Sequence, residues 1–275
     1  MKRVFQLTLL ITVFVILNGC SPQLQLAGLR APANIQIDGQ LIEWPNKKLA
    51  AYNSHSRIGY TICNDDDNLY LAVITDGKLA DGKINYGGLF FNLSYKQEGK
   101  ADTDRVSVVF PIADLKKVFD ISKNTTRYNY QRYRNDSTAK MKRSQLDSIV
   151  SVINVKSSET FNKLKVTGVN RIPDSIINAN SNDQGVKFAV QYDRTDKFIY
   201  EIAIPLKILG LPADGKTAFN YSLMLNGIRI LENHGEPTIY YMDNRKLRGA
   251  ALENSDVAYM QTTTKISGQY TLAKK

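Results

Sequence analysis

The sequence predicts an all-β chain, an antiparallel β-sandwich with a helical insertion. Three observations predict it. Short segments rich in Val, Ile, Tyr and Phe recur along most of the chain, separated by Gly, Asn, Asp and Pro. Within them apolar residues alternate, as in "RIGYTIC", where Ile58, Tyr60 and Ile62 fall on one face. Between Phe110 and Val186 that alternation gives way to apolar residues at helical spacing. Many short strands joined by turns build two facing antiparallel sheets.

The first element stands apart from the fold. Lys2 and Arg3 precede "VFQLTLLITVFVIL", a charge-free run that is short for a membrane span and is interrupted by Gln6, Thr8 and Thr12. It reads as the hydrophobic region of an export signal. In "LNGCSPQ", Leu17, Gly19 and Cys20 resemble a bacterial lipobox. That resemblance implies cleavage before Cys20 and acylation of Cys20, giving a lipid-membrane anchor. Residues 1–19 are then a signal peptide, and 20–33, with two prolines and a glycine, a short tether. Residues 34–275 form one domain. Ser21 is not the aspartate that retains such proteins in the inner membrane, so the expectation is the outer membrane. No acidic run follows Cys20 to suggest surface display, which leaves the periplasmic face.

Loss of Lys2 and Arg3 lowers the formal charge from +10 to +8. A basic balance suits nucleic acid, anionic lipid or an acidic polymer, and export sets nucleic acid aside. Of two cysteines, Cys20 takes lipid, so Cys63 has no intramolecular disulfide partner. At the end of "IGYTIC" it reads as a small apolar residue. No histidine stands near it in sequence to make it a nucleophile.

The elements then follow in order. After "RIGYTIC", "NDDDN" turns the chain into "LYLAVIT", a near-continuous buried strand. "YGGLFFNLSY", "RVSVVFP", "VKFAVQYD", "KFIYEIAIP" and "AFNYSLMLNGIRI" repeat the pattern, and "YDRTDKFIY" is a hairpin with Asp193–Asp196 at its tip. The insertion covers about 112–180. In it, "TAKMKRSQLDSIVSVIN" places Leu146, Ile149, Val150 and Ile153 on one face of a single amphipathic helix, with Asp136 or Ser137 as its cap.

Three pieces carry a second resemblance: "IQIDGQLIEWP", "IGYTICNDDDNLYLAVITD" and "YEIAIPLKILGL". Their signature residues are Asp38, Gly39, Glu43, Trp44, Tyr200, Glu201 and Pro205. In this order they resemble the β-sandwich of family 9 carbohydrate-binding modules and its wider DOMON-like superfamily. Combined with the lipobox, the chain is similar to envelope lipoproteins carrying such a domain. The resemblance implies a non-catalytic, glycan-binding role. Sugar-binding members hold their ligand between two exposed tryptophans, whereas this chain has Trp44 alone. Two readings of Trp44 follow, a stacking platform or a core residue. The favoured one is a plug over the open end of the sandwich, with Glu43 accepting backbone N–H groups.

Further candidate sites are open. Asp65, Asp66 and Asp67 make either a solvated turn or part of a structural Ca²⁺ site, which some members of the superfamily hold; no other cofactor is expected. Glu43 and Glu201 are the one pair that suggests glycan hydrolysis, but both sit in signature motifs, and the expectation is no enzyme. "RYNYQRYR" interleaves Arg127, Arg132 and Arg134 with Tyr128, Tyr130 and Tyr133, a composition suited to acidic glycans or lipid headgroups and equally to a solvated insertion. Tyr240 and Tyr241 must point to opposite faces if they lie on a strand, so one could stack on a ligand. Glycan binding through such residues is the first reading. The alternative is an envelope protein that docks a protein or anionic lipid partner.

Overall fold

The computed structural model describes residues 24–25, 28–44, 49–96, 103–132, 142–169, 175–179, 182–212, 217–228, 232–233, 236–243, 246–251 and 254–274. Cys20, Pro45, Tyr133, Arg134, Asp136 and Ser137 lie outside them. Tyr130, Tyr240 and Tyr241 are described by their backbone alone.

Two antiparallel sheets enclose one core. The first joins β1 (Ala51–Asn53), β2 (Ile58–Asn64), β3 (Asn68–Thr75), β9 (Phe198–Pro205) and β8 (Lys187–Tyr192), in that order. The second runs β14 (Thr264–Thr271), β10 (Ala218–Leu225), β4 (Leu89–Lys96), β5 (Thr103–Phe110), β6 (Lys163–Thr167) and β7 (Ser175–Asn178). Period-two alternation turns Leu89, Phe91, Leu93 and Tyr95 of β4 inward, against Tyr60, Leu71, Tyr200 and Ile202 of the first sheet. Phe110 meets Phe188 and Tyr200 edge-on across the gap, and the Tyr60 and Tyr221 hydroxyls join at 3.0 Å. A smaller sheet, β11 (Glu232–Asn233), β12 (Glu236–Asp243) and β13 (Lys246–Ala251), follows β10.

The stretch expected to hold one amphipathic helix holds two, α2 (Leu115–Arg132) and α3 (Arg143–Thr160). They follow α1 (Lys78–Gly87), which links β3 to β4. In α2 the buried stripe is Val118, Ile121, Thr125 and Tyr128, at helical spacing. In α3 it is Val150, Ile153, Ser157 and Thr160. The described start of α3 is Lys142, whose N–H donates to Gln145 Oε1 at 2.9 Å. After these helices β6 and β7 rejoin the second sheet, so the stretch extends the sheet as well as decorating it. The turn α4 (Leu206–Leu209) follows β9, and α5 (Asn254–Gln261) leads into β14.

Both faces of the first sheet are covered. Its outer face carries Cys63, Tyr70, Ala72, Ile199 and Ala203, and the N-terminal segment lies over them with Ala31, Ile35, Ile37, Leu41 and Trp44. This explains why β3 reads as an unbroken apolar run. Part of the expected tether is therefore docked. Leu29 and Ala31 exchange backbone bonds with Asn64, and Leu29 also bonds the Tyr270 hydroxyl. Gln25 is buried; its amide donates to Ile62 O at 2.6 Å and accepts from Ile62 N at 2.8 Å. On the far edge, Asn154 of α3 treats Tyr192 of β8 the same way, at 3.1 and 2.7 Å. Gln25, with Leu29 and Ala31, thus covers the part of β2 that extends past the three-residue β1, and Asn154 covers β8, where a bare strand would invite pairing with another chain.

Candidate ligand-binding face

The signature motifs converge on Glu201. Alternation along β9 points Tyr200 into the core and Glu201 to the outer face, beneath the Asp38–Trp44 segment. Glu201 is fully buried and accepts three N–H groups: Asp38 N at 3.1 Å, Gly39 N at 2.8 Å and Trp44 Nε1 at 2.6 Å. Burial pushes its carboxyl up to about 7 against these donors. Gly39 has φ +85°, and a Cβ there would come within 2.9 Å of the β8 backbone at Val190 and Gln191, so the turn needs glycine. Asp38 Oδ1 closes the turn on Gln40 N at 2.8 Å, and Pro205 ends β9 ahead of α4.

Trp44 is 2% exposed and lies on the outer face of the five-stranded sheet, away from the open end of the sandwich. The acceptor of the backbone N–H groups is Glu201, not Glu43, whose Oε2 is buried without a hydrogen-bond partner. Glu201 lies on the strand beneath the turn, close enough to take the indole and two amides together. With one carboxylate committed this way, the pair cannot offer two free groups to a glycosidic bond.

The acidic tip of the β2–β3 hairpin is also committed. Asp65 accepts Asp67 N at 2.8 Å, Asn68 N at 2.6 Å and the Tyr70 hydroxyl at 2.6 Å. These bonds hold its carboxyl below the ordinary carboxylate value despite partial burial. Asp66 pairs with Arg30 at 2.9 Å, while Asp67 is exposed. Among the described residues no cluster of three His, Cys, Asp or Glu could hold a metal ion. Cys63 is buried under the N-terminal segment, and burial pushes its thiol up to about 12, which keeps it protonated.

The basic-aromatic stretch divides. Arg127 is exposed on α2, but Tyr128 is 3% exposed, packs edge-on against Tyr192 and donates to Arg194 O. Tyr128 therefore belongs to the core and not to a ligand surface. Arg132 pairs with Asp196 at 2.9 Å in the β8–β9 hairpin tip. The helical turn brings Tyr128 and Arg132 to one side, where they secure that hairpin. Tyr240 and Tyr241 do lie on a strand, β12, paired with Gly249 and Arg248 of β13.

The feature that sequence reading missed is the outer face of the six-stranded sheet. Strand register aligns Ser267, Ser222, Asn92, Ser107 and Thr167 side by side across β14, β10, β4, β5 and β6. At the usual spacing of 4.7–4.9 Å this row is about 19 Å long. Asn92 Nδ2 donates to Ser222 Oγ at 3.2 Å within it. These residues floor an open cleft of about 820 Å³ with Ser94, Arg105, Asn220 and Lys265. On the other side of the row, register aligns Met224, Phe90 and Val109, all half-buried, as an apolar bar. The period-two pattern carries this signal, "FNLS" and "RVSV" alternating large inward residues with small polar outward ones. It becomes a surface only once the strand order is known. A second groove of about 1140 Å³ lies between Asp38–Ile42 and α3, with an apolar floor of Ile74, Ala189 and Ile199 and charges of both signs on its walls.

Comparison of the sequence with protein-family profiles and with curated proteins, and of the fold with solved structures, returns no match.

Proposed function

We propose that this chain is a membrane-anchored, non-catalytic glycan-binding lipoprotein, and that the outer face of the six-stranded sheet is where the glycan sits. The observation that carries the reading is the in-register row Ser267, Ser222, Asn92, Ser107 and Thr167. A glycan repeats hydroxyl donors and acceptors along its length. A row of hydroxyls and amides on paired strands meets them at fixed intervals, with little ordering left to do on binding. Phe90, with Met224 and Val109, offers an apolar strip for the C–H face of a sugar ring. The role needs no acid–base pair. The three signature motifs support a carbohydrate-binding-module-like sandwich of family 9 type, with the ligand moved away from Trp44. The lipobox residues Leu17, Gly19 and Cys20 support a lipid anchor, Ser21 supports the outer membrane, and the lack of an acidic run after Cys20 supports the periplasmic face.

A glycan array probed with the full-length protein in detergent tests this reading. Wild type should bind a defined set of glycans, and the variant Asn92→Ala/Ser107→Ala/Ser222→Ala should lose at least about tenfold in affinity, the loss of roughly 1.4 kcal/mol. Unchanged binding by a folded triple variant would remove this face from consideration.

A further inference from the structure

We propose that the ligand of this face is an acidic polysaccharide, lying across the strands along the polar row. The proposal rests on the glycan-binding reading above and specifies the chemical class of its ligand.

Charge on the face is one-sided. The strand positions that point outward carry five cations, Lys96, Arg105, Lys163, Lys165 and Lys265. Among the described side chains of the same face there is no carboxylate. The chain as a whole has 26 Asp and Glu to 36 Lys and Arg, so its net charge alone does not produce a surface free of one sign. The carboxylates go elsewhere: Asp65 and Asp66 hold the β2–β3 hairpin, Asp193 and Asp196 the β8–β9 hairpin, and Glu201 the Trp44 turn.

The cations also stand in register with the row. Lys265 is two residues from Ser267 on β14, Lys165 two residues from Thr167 on β6, and Arg105 two residues from Ser107 on β5. Each is one pleat, about 7 Å, from the row. Lys265 and Lys165 pair through Met224 and Val109, so they mark the two ends of the same apolar bar. Arg105 pairs with Ser94 on the opposite flank of the row. An extended chain on the row therefore passes a cation near each end and a guanidinium beside its fourth strand, β5. Spaced carboxylate or sulfate groups on a polymer meet that arrangement; a neutral glycan leaves the cations unused. Arg105 and Lys265 line the cleft, and Arg105 offers a planar fork suited to a carboxylate. A lipid headgroup fits less well. The row lies flat in the sheet, with Ser222 buried and Asn92, Ser107 and Thr167 half-buried, and the bar of Met224, Phe90 and Val109 is half-buried too; Ile176, 60% exposed beside Lys165 on β7, is a single apolar side chain at the sheet's edge.

The test uses the full-length protein, in detergent for affinity to polygalacturonate, its methyl ester, hyaluronate, dextran sulfate and neutral dextran, and without detergent for phosphatidylglycerol vesicles against phosphatidylcholine vesicles, which an acyl anchor enters equally. At least one acidic polymer should bind tenfold or more tightly than dextran, more weakly as salt shortens the screening length below about 8 Å. Arg105→Gln/Lys165→Gln/Lys265→Gln should lose at least tenfold for that polymer, with an unchanged melting temperature. Asn92→Ala/Ser222→Ala should also weaken it, which a purely diffuse charge effect does not predict. If dextran and the acidic polymers bind equally and only the row variant loses affinity, the glycan reading stands and the acidic proposal falls. If no polymer binds, both fall. Vesicle binding that is lost in the cation variant, without any polymer binding, would assign the face to lipid and overturn the proposal.

Discussion

Glu201 holds the N-terminal segment in place, because its buried carboxyl group accepts N–H groups from Asp38, Gly39 and Trp44 together. Trp44→Ala should destabilise the fold by about 3–5 kcal/mol, the cost of truncating a buried large aromatic. Trp44→Phe keeps the ring but leaves Glu201 Oε1 without its donor, and should cost about 1–3 kcal/mol. Blue-shifted emission poorly quenched by iodide in wild type, and chemical denaturation of the three proteins, check both. A stable Trp44→Ala variant would contradict this assignment. Burial raises the folded-state carboxyls of Glu201 and Asp81 to about 7, from ordinary values of 4.5 and 3.8. Their protonated forms are the ones the fold favours, so the stability they contribute is full below those ordinary values and is lost as pH rises through 7. Melting curves from pH 4 to 8 should show that decline, and Glu201→Gln/Asp81→Asn should flatten it. At this scale the sequence was legible in part. "DG" and "EW" marked a turn and a large ring, but neighbours in sequence suggested Glu43 as the acceptor. The partner came from 157 residues away, and no local pattern announces a contact of that range.

Two carboxamides cap margins of the five-stranded sheet, Gln25 on the part of β2 that extends past the short β1 and Asn154 on β8. Gln25→Ala and Asn154→Ala should each cost about 1–3 kcal/mol, since each leaves one N–H and one C=O of a buried residue without a partner. Hydrogen exchange should accelerate at Ile62 in the first variant and at Tyr192 in the second. Exchange unchanged at those amides would show that the edges are closed by something else. β2, β4, β5 and β8 to β10 were legible because Tyr, Phe, Val and Ile recur along them, largely at every second position, and β3 because its apolar run is unbroken. β6 and β7 were not, being short and following two helices. α2 was hidden by composition: "KNTTRYNYQR" looks like a solvated loop until Val118, Ile121, Thr125 and Tyr128 are placed on one helical stripe.

Over the whole molecule, the proposed anchor and the proposed binding face are separable. Cys20→Ser should release the protein from membranes and abolish lipid labelling while leaving glycan affinity intact; a processed, membrane-bound Cys20→Ser protein would refute the lipobox reading. The antiparallel two-sheet plan was legible from strand count and turn residues. The candidate ligand face was not, because Ser267 and Thr167 are 100 residues apart and fall on one row only through the order β14-β10-β4-β5-β6. The aromatic-basic stretch attracted attention in the sequence because its residues are adjacent there. In the fold, Tyr128 and Arg132 hold the β8–β9 hairpin.

The docked residues 24–25 and 28–31 also bear on posture. They lie at the seam where β2 of one sheet comes close to β14 of the other, bonding Ile62, Asn64 and Tyr270. Only four residue steps join Leu24 to Cys20, a reach of at most about 14 Å when fully stretched. Were Cys20 acylated as proposed, that seam would moor the domain alongside the bilayer on a short line. β14 would then be the waterline, and the polar row would climb from Ser267 at the hull to Thr167 on the far side. A glycan held on it would stand upright, one end low at the lipid and the other reaching into the periplasm.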